Sequence, residues 1–322
     1  MNRSIWLLFI VLAVILFAST SLLYKVGANG VEKEKHTCLK YSICVGIVFF
    51  VIAFLCLITR KESFTIFESA VRFWPMTIFG IVYAVVNTIS FNGYIYNEAI
   101  VESPVEGIGG GTSTILLIIA YLVLGRVDSI FDLLTPLRTI GIIIILISII
   151  MLSMVRNKIN RQNEKYNGKR WMRYGLGTLI FPILFSIVDA LETIVTGVCL
   201  DSTYGFAMPE GDSIIIVGME YAIFALICYI YVYLKEKKLY NPFCKLGIPR
   251  MLGAVVDNVG IVFYSYAMAI DSISTDPLVA VYPIFVMIGG RIIMKEKVSI
   301  NQYICIIGII LGSVMVIIDT VK

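Results

Sequence analysis

The chain has 322 residues, 59% of them hydrophobic and only 15% charged, with a mean hydropathy of +0.91 and a formal net charge of +4. Such a composition excludes both a soluble globular domain and a disordered chain, and the modest positive excess suits anionic lipid rather than nucleic acid. The apolar residues fall into charge-poor runs near the ~20 residues that cross a ~30 Å hydrocarbon core as a helix.

Ten such runs follow one another: residues 4–24, 38–58, 73–96, 104–124, 136–155, 172–197, 213–234, 250–270, 276–294 and 300–319. In hydrocarbon every backbone N–H and C=O must be satisfied within its own segment, and long runs without strand-like alternation indicate helices rather than a barrel. The expected fold class is therefore an all-α polytopic membrane protein with ten transmembrane helices.

The first run follows Arg3 and ends near Ala18 and Ser19, as a secretory signal would. Its apolar part is longer than a signal core and nine more runs follow, so it reads as a retained helix. The loop VEKEKH after it carries the one histidine, His36. No HExxH, GxSxG or Walker sequence appears, so no catalytic residue, enzyme activity or cofactor is expected.

The seven cysteines form no C-x-x-C pair and sit in or beside apolar runs, where they read as small packing residues, with neither a disulfide framework nor a metal site. Ahead of the fourth run, Glu98, Glu102 and Glu106 recur every four residues and read as a solvated rim, with Pro104 interrupting a continuous helix. The glycines of PVEGIGGGTST (104–114) lack the Lys-Ser/Thr ending of a phosphate loop and read as a close helix-packing surface.

The sequence RNKINRQNEKYNGKR (156–170) is the strongest composition break and divides the helices five and five. The expected organisation is residues 1–155 as one five-helix unit, 156–171 as a basic linker and 172–322 as a second unit. Loops one-two, five-six, seven-eight and nine-ten hold 19 of the 26 Lys and Arg residues. The positive-inside rule then puts the central linker in the cytoplasm and both termini outside.

Ionisable side chains inside the membrane cost about 2.5–3.5 kcal/mol each on insertion scales and usually face a bundle interior or an aqueous path. Four stand out: Asp189 and Glu192, three apart on one face of the sixth run, Glu220 in the seventh and Asp257 in the eighth. None has a basic partner within its own helix. They are the candidate substrate or proton sites, with Asn87, Tyr264 and Tyr266 as neighbours, since tyrosine faces beside carboxylates attract organic cations.

The two units repeat. YAVVNTISFNGYIYNEAI (83–100) lies over GAVVDNVGIVFYSYAMAI (253–270) without a gap at an offset of 170, placing Asn87 on Asp257, Tyr94 on Tyr264 and Tyr96 on Tyr266. The offset persists to Ser129 over Ser299. With five helices in each unit, the second copy must be inverted in the membrane relative to the first.

The stretch YSYAMAIDSISTDPLVAVYPIFVMIGGRIIMKEKVSINQYICIIGIILGSVMVII (264–318) resembles the ten-helix, EamA-domain branch of the drug/metabolite transporter superfamily. The likeness lies in an Ala-rich helix end, a short turn, a helix with a central proline (Pro283), a glutamate-containing loop (Glu296) and a last helix with Gly308 and Gly312. The first half is a fainter copy, with Arg126 at the position of Glu296 and Ser113 at that of Pro283. The resemblance implies two inverted repeats around a central cavity bordered by helices four and nine. It also implies termini on the cytoplasmic side, opposite to the charge count.

The sequence thus leads to a secondary active transporter in the cell membrane that moves a small organic metabolite, an amine or amino acid, by alternating access, with carboxylates suited to proton exchange. Multidrug efflux is the alternative within transport, and a non-transporting membrane partner or sensor the alternative outside it. The partners expected are the small-molecule substrate and lipid, without nucleic acid, and a monomer suffices to enclose a path.

Overall fold

A computed structural model describes residues 3–29, 34–60, 66–96, 99–129, 134–163, 180–293 and 299–321. Among these residues there are twelve helices and no strand: α1 (Arg3–Ala28), α2 (Thr37–Thr59), α3 (Ile66–Arg72), α4 (Trp74–Tyr96), α5 (Ala99–Val123), α6 (Pro136–Asn163), α7 (Ile180–Leu200), α8 (Glu210–Glu236), α9 (Gly247–Ile270), α10 (Ser272–Val279), α11 (Pro283–Ile293) and α12 (Ile300–Val321). Among the described residues, eight segments are long and apolar enough to cross a membrane: α1, α2, α4, α7, α8, α9, α12, and α10 with α11 taken together. Within α5 and α6 the described apolar stretches are Thr112–Val123 and Pro136–Met151.

The outer faces are those of a chain in lipid. On α8, Ile223, Leu226, Ile227 and Ile230 are exposed at helical spacing, and on α12 Ile304, Ile307, Leu311 and Val314. Lipid offers such side chains the same apolar surroundings as a protein core, so close packing rather than hydrophobic burial must hold the helices together.

Glycines provide it. In the seam between α2 and α8, a Cβ on Gly46 would meet Tyr221 and Ala225, and one on Gly218 would meet Phe49 and Ala53. Each residue of the α2 set has its counterpart 172 positions along, and Phe49 stacks on Tyr221 with ring centroids 5.2 Å apart. In the seam between α6 and α12, Gly141 and Gly312 meet backbone to backbone, flanked by Ile145 and Val316. Along α1 and α9, Gly27 lies on Arg250, Tyr24 on Gly253 and Phe17 on Gly260, so these two helices run antiparallel in register.

Ion pairs pin the ends. Asp212 is fully buried and takes both Arg60 Nε (2.6 Å) and Nη2 (2.8 Å), together with the Ser69 hydroxyl. Arg250, also fully buried, donates to the Gly27 carbonyl at the end of α1 (3.1 Å) and to Glu34 (2.5 Å). Lys40 pairs with Glu236 at 2.9 Å, and Arg138 with Asp319 at 3.3 Å.

The helix α6 runs as far as Asn163, into the first part of the basic stretch expected as a linker over 156–171; residues 164–171, and the expected start of the sixth run at 172–179, lie outside the described residues. Two expectations are corrected. Pro104 does not interrupt α5, which is helical on both sides of it from Ala99 to Val123, so the proline costs a ladder bond without ending the helix. The ninth run is two helices, because Pro283 has no N–H to give Val279 and the chain turns through Ala280–Val281–Tyr282 instead.

Candidate functional site

At the centre, α1, α4, α5, α7, α8, α9 and the break after α10 enclose a cavity of about 170 Å³. A single water needs about 10–15 Å³ on this measure, so the space admits a small organic molecule. Its lining includes five acidic side chains, Glu106, Asp189, Glu192, Asp257 and Asp276, and among the described residues no Lys, Arg or His. Aromatic rings supply much of the remaining wall, among them Phe17, Tyr24, Tyr83, Phe185 and Tyr221.

The carboxylates are held by hydroxyl donors. Tyr94 donates to Glu106 (2.8 Å) and Tyr282 reaches the same oxygen at 3.4 Å. Tyr264 donates to Asp276 (2.9 Å), which also accepts from Ser113, and Tyr24 donates to Asp257 (3.1 Å). Thr196, one turn after Glu192, donates to it at 2.5 Å. Asn87 accepts from Tyr41 and donates to Tyr221, both at 3.2 Å. Tyrosine hydroxyls orient a carboxylate without neutralising it, so the negative charge is left for protons or for a cation in the cavity.

The broken helix contributes backbone as well as side chains. Val279, Ala280 and Tyr282 line the cavity. Ile284 N–H turns to the Val281 carbonyl (3.0 Å) rather than to Ala280, which takes the Ala280 carbonyl out of the helical ladder. Discontinuous helices that expose backbone acceptors are a recurring way to build a site at mid-membrane. Upstream, α10 is fixed by Asp271, which caps it through Ser274 N (2.9 Å), and by Asp201, which accepts from the Ser272 amide (3.0 Å) and hydroxyl (2.6 Å).

Five of the seven residues singled out from the sequence line this cavity: Asp189, Glu192, Asp257, Asn87 and Tyr264. Two do not. Glu220 lies behind the wall, where a Cβ on cavity-lining Gly80 would collide with its carboxylate, and neither of its oxygens has a hydrogen-bond partner among the described residues. Tyr266, two residues on from Tyr264, packs instead on Phe9 with ring centroids 5.8 Å apart.

Two cavity carboxylates escaped the sequence reading. Glu106, assigned there to a solvated rim, is 6% exposed and faces inward; Glu98 and the side chain of Glu102 lie outside the described residues. Asp276 was passed over at the edge of the ninth run. The signal was present: Glu106 and Asp276 are themselves 170 apart, the offset that relates Tyr94 to Tyr264. The glycine-rich start of α5 acts in packing at the one position described there, since Gly109 brings α5 onto the Ser186 carbonyl and the Asp189 carboxylate of α7.

With this geometry in view, residues 193–318 match the model of the EamA-like transporter family, part of the drug/metabolite transporter superfamily. A solved crystal structure is similar over 98% of this chain and 96% of its own, with a TM-score of 0.63 at 12% identity, a likeness of fold. None of the curated proteins matches the sequence.

Proposed function

We propose that the chain is a secondary transporter of the drug/metabolite type that moves a small organic amine through the central cavity by alternating access. The observation that carries this reading is the lining: five carboxylates, aromatic faces and no basic side chain among the described residues. Buried carboxylates without cationic partners are costly, and an ammonium group supplies the missing charge while tyrosine and phenylalanine faces hold its apolar flanks.

Alternating access requires two units that can exchange roles, and the seams support an inverted repeat of residues 1–155 and 172–322. Gly46 and Gly218, and Gly141 and Gly312, make reciprocal contacts across the two units. Alternating access then consists of rocking one unit against the other around the fixed site. The Lys and Arg distribution favours the cell membrane with residues 156–171 in the cytoplasm. Proton exchange at the same carboxylates is the coupling that suits them.

The test is uptake of radiolabelled amines, amino acids, nucleosides and sugars into proteoliposomes containing the purified protein, beside an Asp189→Asn, Glu192→Gln double variant. The reading expects amine flux that the double variant loses. Flux confined to neutral or anionic solutes, or equal amine flux in both proteins, would overturn it.

A further inference from the structure

The acidic groups of the cavity are not gathered at one point. On α9, Asp257 and Tyr264 are seven residues apart, two turns and about 10 Å along one helix face. On antiparallel α1, Tyr24 and Phe17 show the same spacing, and the two helices meet as rungs. In one rung Tyr24 donates to Asp257, and its ring lies 6.2 Å from that of Tyr94, which holds Glu106. In the other, Phe17 sits edge-on to Tyr264 at 6.1 Å, and Tyr264 holds Asp276. Between the rungs the wall is Ser21 and Ile261.

Two further observations bear on what fills this space. No three His, Cys, Asp or Glu residues among the described ones converge closely enough to hold a metal ion, so one divalent ion does not match the distribution of charge. Ser213 and Ser265, only 2% and 4% exposed, line the cavity, so the wall carries small hydroxyl side chains beside its carboxylates.

Resting on the reading of the cavity as an amine site, we infer that its ligand is a linear dication, a diamine or polyamine whose two ammonium groups engage the Asp257–Glu106 rung and the Asp276 rung with an alkyl spacer between them. A monoamine fills one rung and leaves the other carboxylates unbalanced. An amino acid is disfavoured because its carboxylate would enter a cavity that is already acidic.

The experiment measures thermal stabilisation and direct binding of putrescine and of butylamine, which share a carbon chain and differ in one ammonium group. It uses the purified full chain and its Asp257→Asn and Asp276→Asn variants, with the melting temperature of each variant without ligand as the check on folding. The expected result is tighter binding of putrescine by at least about tenfold, a step typical of one added charge-assisted contact, with the advantage lost in either variant. If a variant fails to fold, the comparison of the two amines on the unaltered chain decides alone. Equal binding of the two amines overturns the dication while leaving amine transport in place, and binding of neither overturns both.

Discussion

Glu106 and Asp276 each accept a hydrogen bond from the tyrosine twelve residues before them, Tyr94 at 2.8 Å and Tyr264 at 2.9 Å. The two clamps stand 170 positions apart and face one cavity. One is set in the continuous helix α5, the other in α10 just ahead of a break, so the same pair of groups is presented on two different backbones. Ser113, 170 positions before Pro283, donates to Asp276 and ties the two halves of the chain together.

Neutralising either clamp is expected to separate stability from transport. In Glu106→Gln and Asp276→Asn the amine flux should fall by about tenfold or more, while the melting temperature is kept or raised, because a buried carboxylate without a cation has been removed. Tyr94→Phe, which removes hydrogen bonds to Glu106 and Ser21, and Tyr264→Phe, which removes that to Asp276, each bond being about 1–1.5 kcal/mol, should cost several-fold in flux only. Flux assays paired with thermal melts on the four proteins decide it. Parallel loss of both properties would make the clamps structural.

The Arg60–Asp212 pair is expected to behave in the opposite sense. Asp212 is fully buried and receives Arg60 and Ser69, so Asp212→Ala breaks a buried ion pair and should destabilise by about 3–5 kcal/mol. Chemical or thermal unfolding in detergent measures this directly.

The glycine seam between α2 and α8 gives a matched pair. Gly46→Leu and Gly218→Leu should destabilise by similar amounts, roughly 1–3 kcal/mol by overpacking, because each glycine meets the counterpart of what the other meets. Gly211, in the first turn of α8 with nothing within 4 Å, is the control: Gly211→Ala should stabilise by about 0.4–1 kcal/mol. Melting curves of the three variants are the measurement.

Pro283→Ala should mend the break between α10 and α11. It restores an N–H able to reach the Val279 carbonyl, which now accepts from Tyr282 N at 3.0 Å. Stability should rise by about 1 kcal/mol while amine flux falls, as the exposed backbone is drawn back into a helix. A rise in flux would show that the break is not used.

Much of this was legible in the sequence, and the limits are physical. Apolar run length located the helices because the bilayer imposes one requirement on every span. It overlooked α3, too short to span, and it saw α10 and α11 as one run because hydropathy is blind to where a ladder breaks. Rarity of charge in apolar surroundings picked out Asp189, Glu192 and Asp257, and equally picked out Glu220, since hydropathy does not distinguish the wall of a cavity from the layer behind it. Glu106 lay in a glutamate-rich, glycine-rich stretch where an inward residue has nothing to mark it. Only the repeat, followed as far as its second carboxylate, held that information.

The reciprocal seams have a consequence for what counts as a folding unit. Since α2 packs on α8 and α6 on α12, each half of the chain carries one side of two interfaces and only part of the acidic lining. Severing the chain between residues 163 and 180 should therefore yield two fragments that are incompetent apart and complementary together, as the two protomers of an antiparallel dimer would be. The smallest piece expected to stand alone is then the pair of fragments rather than either one.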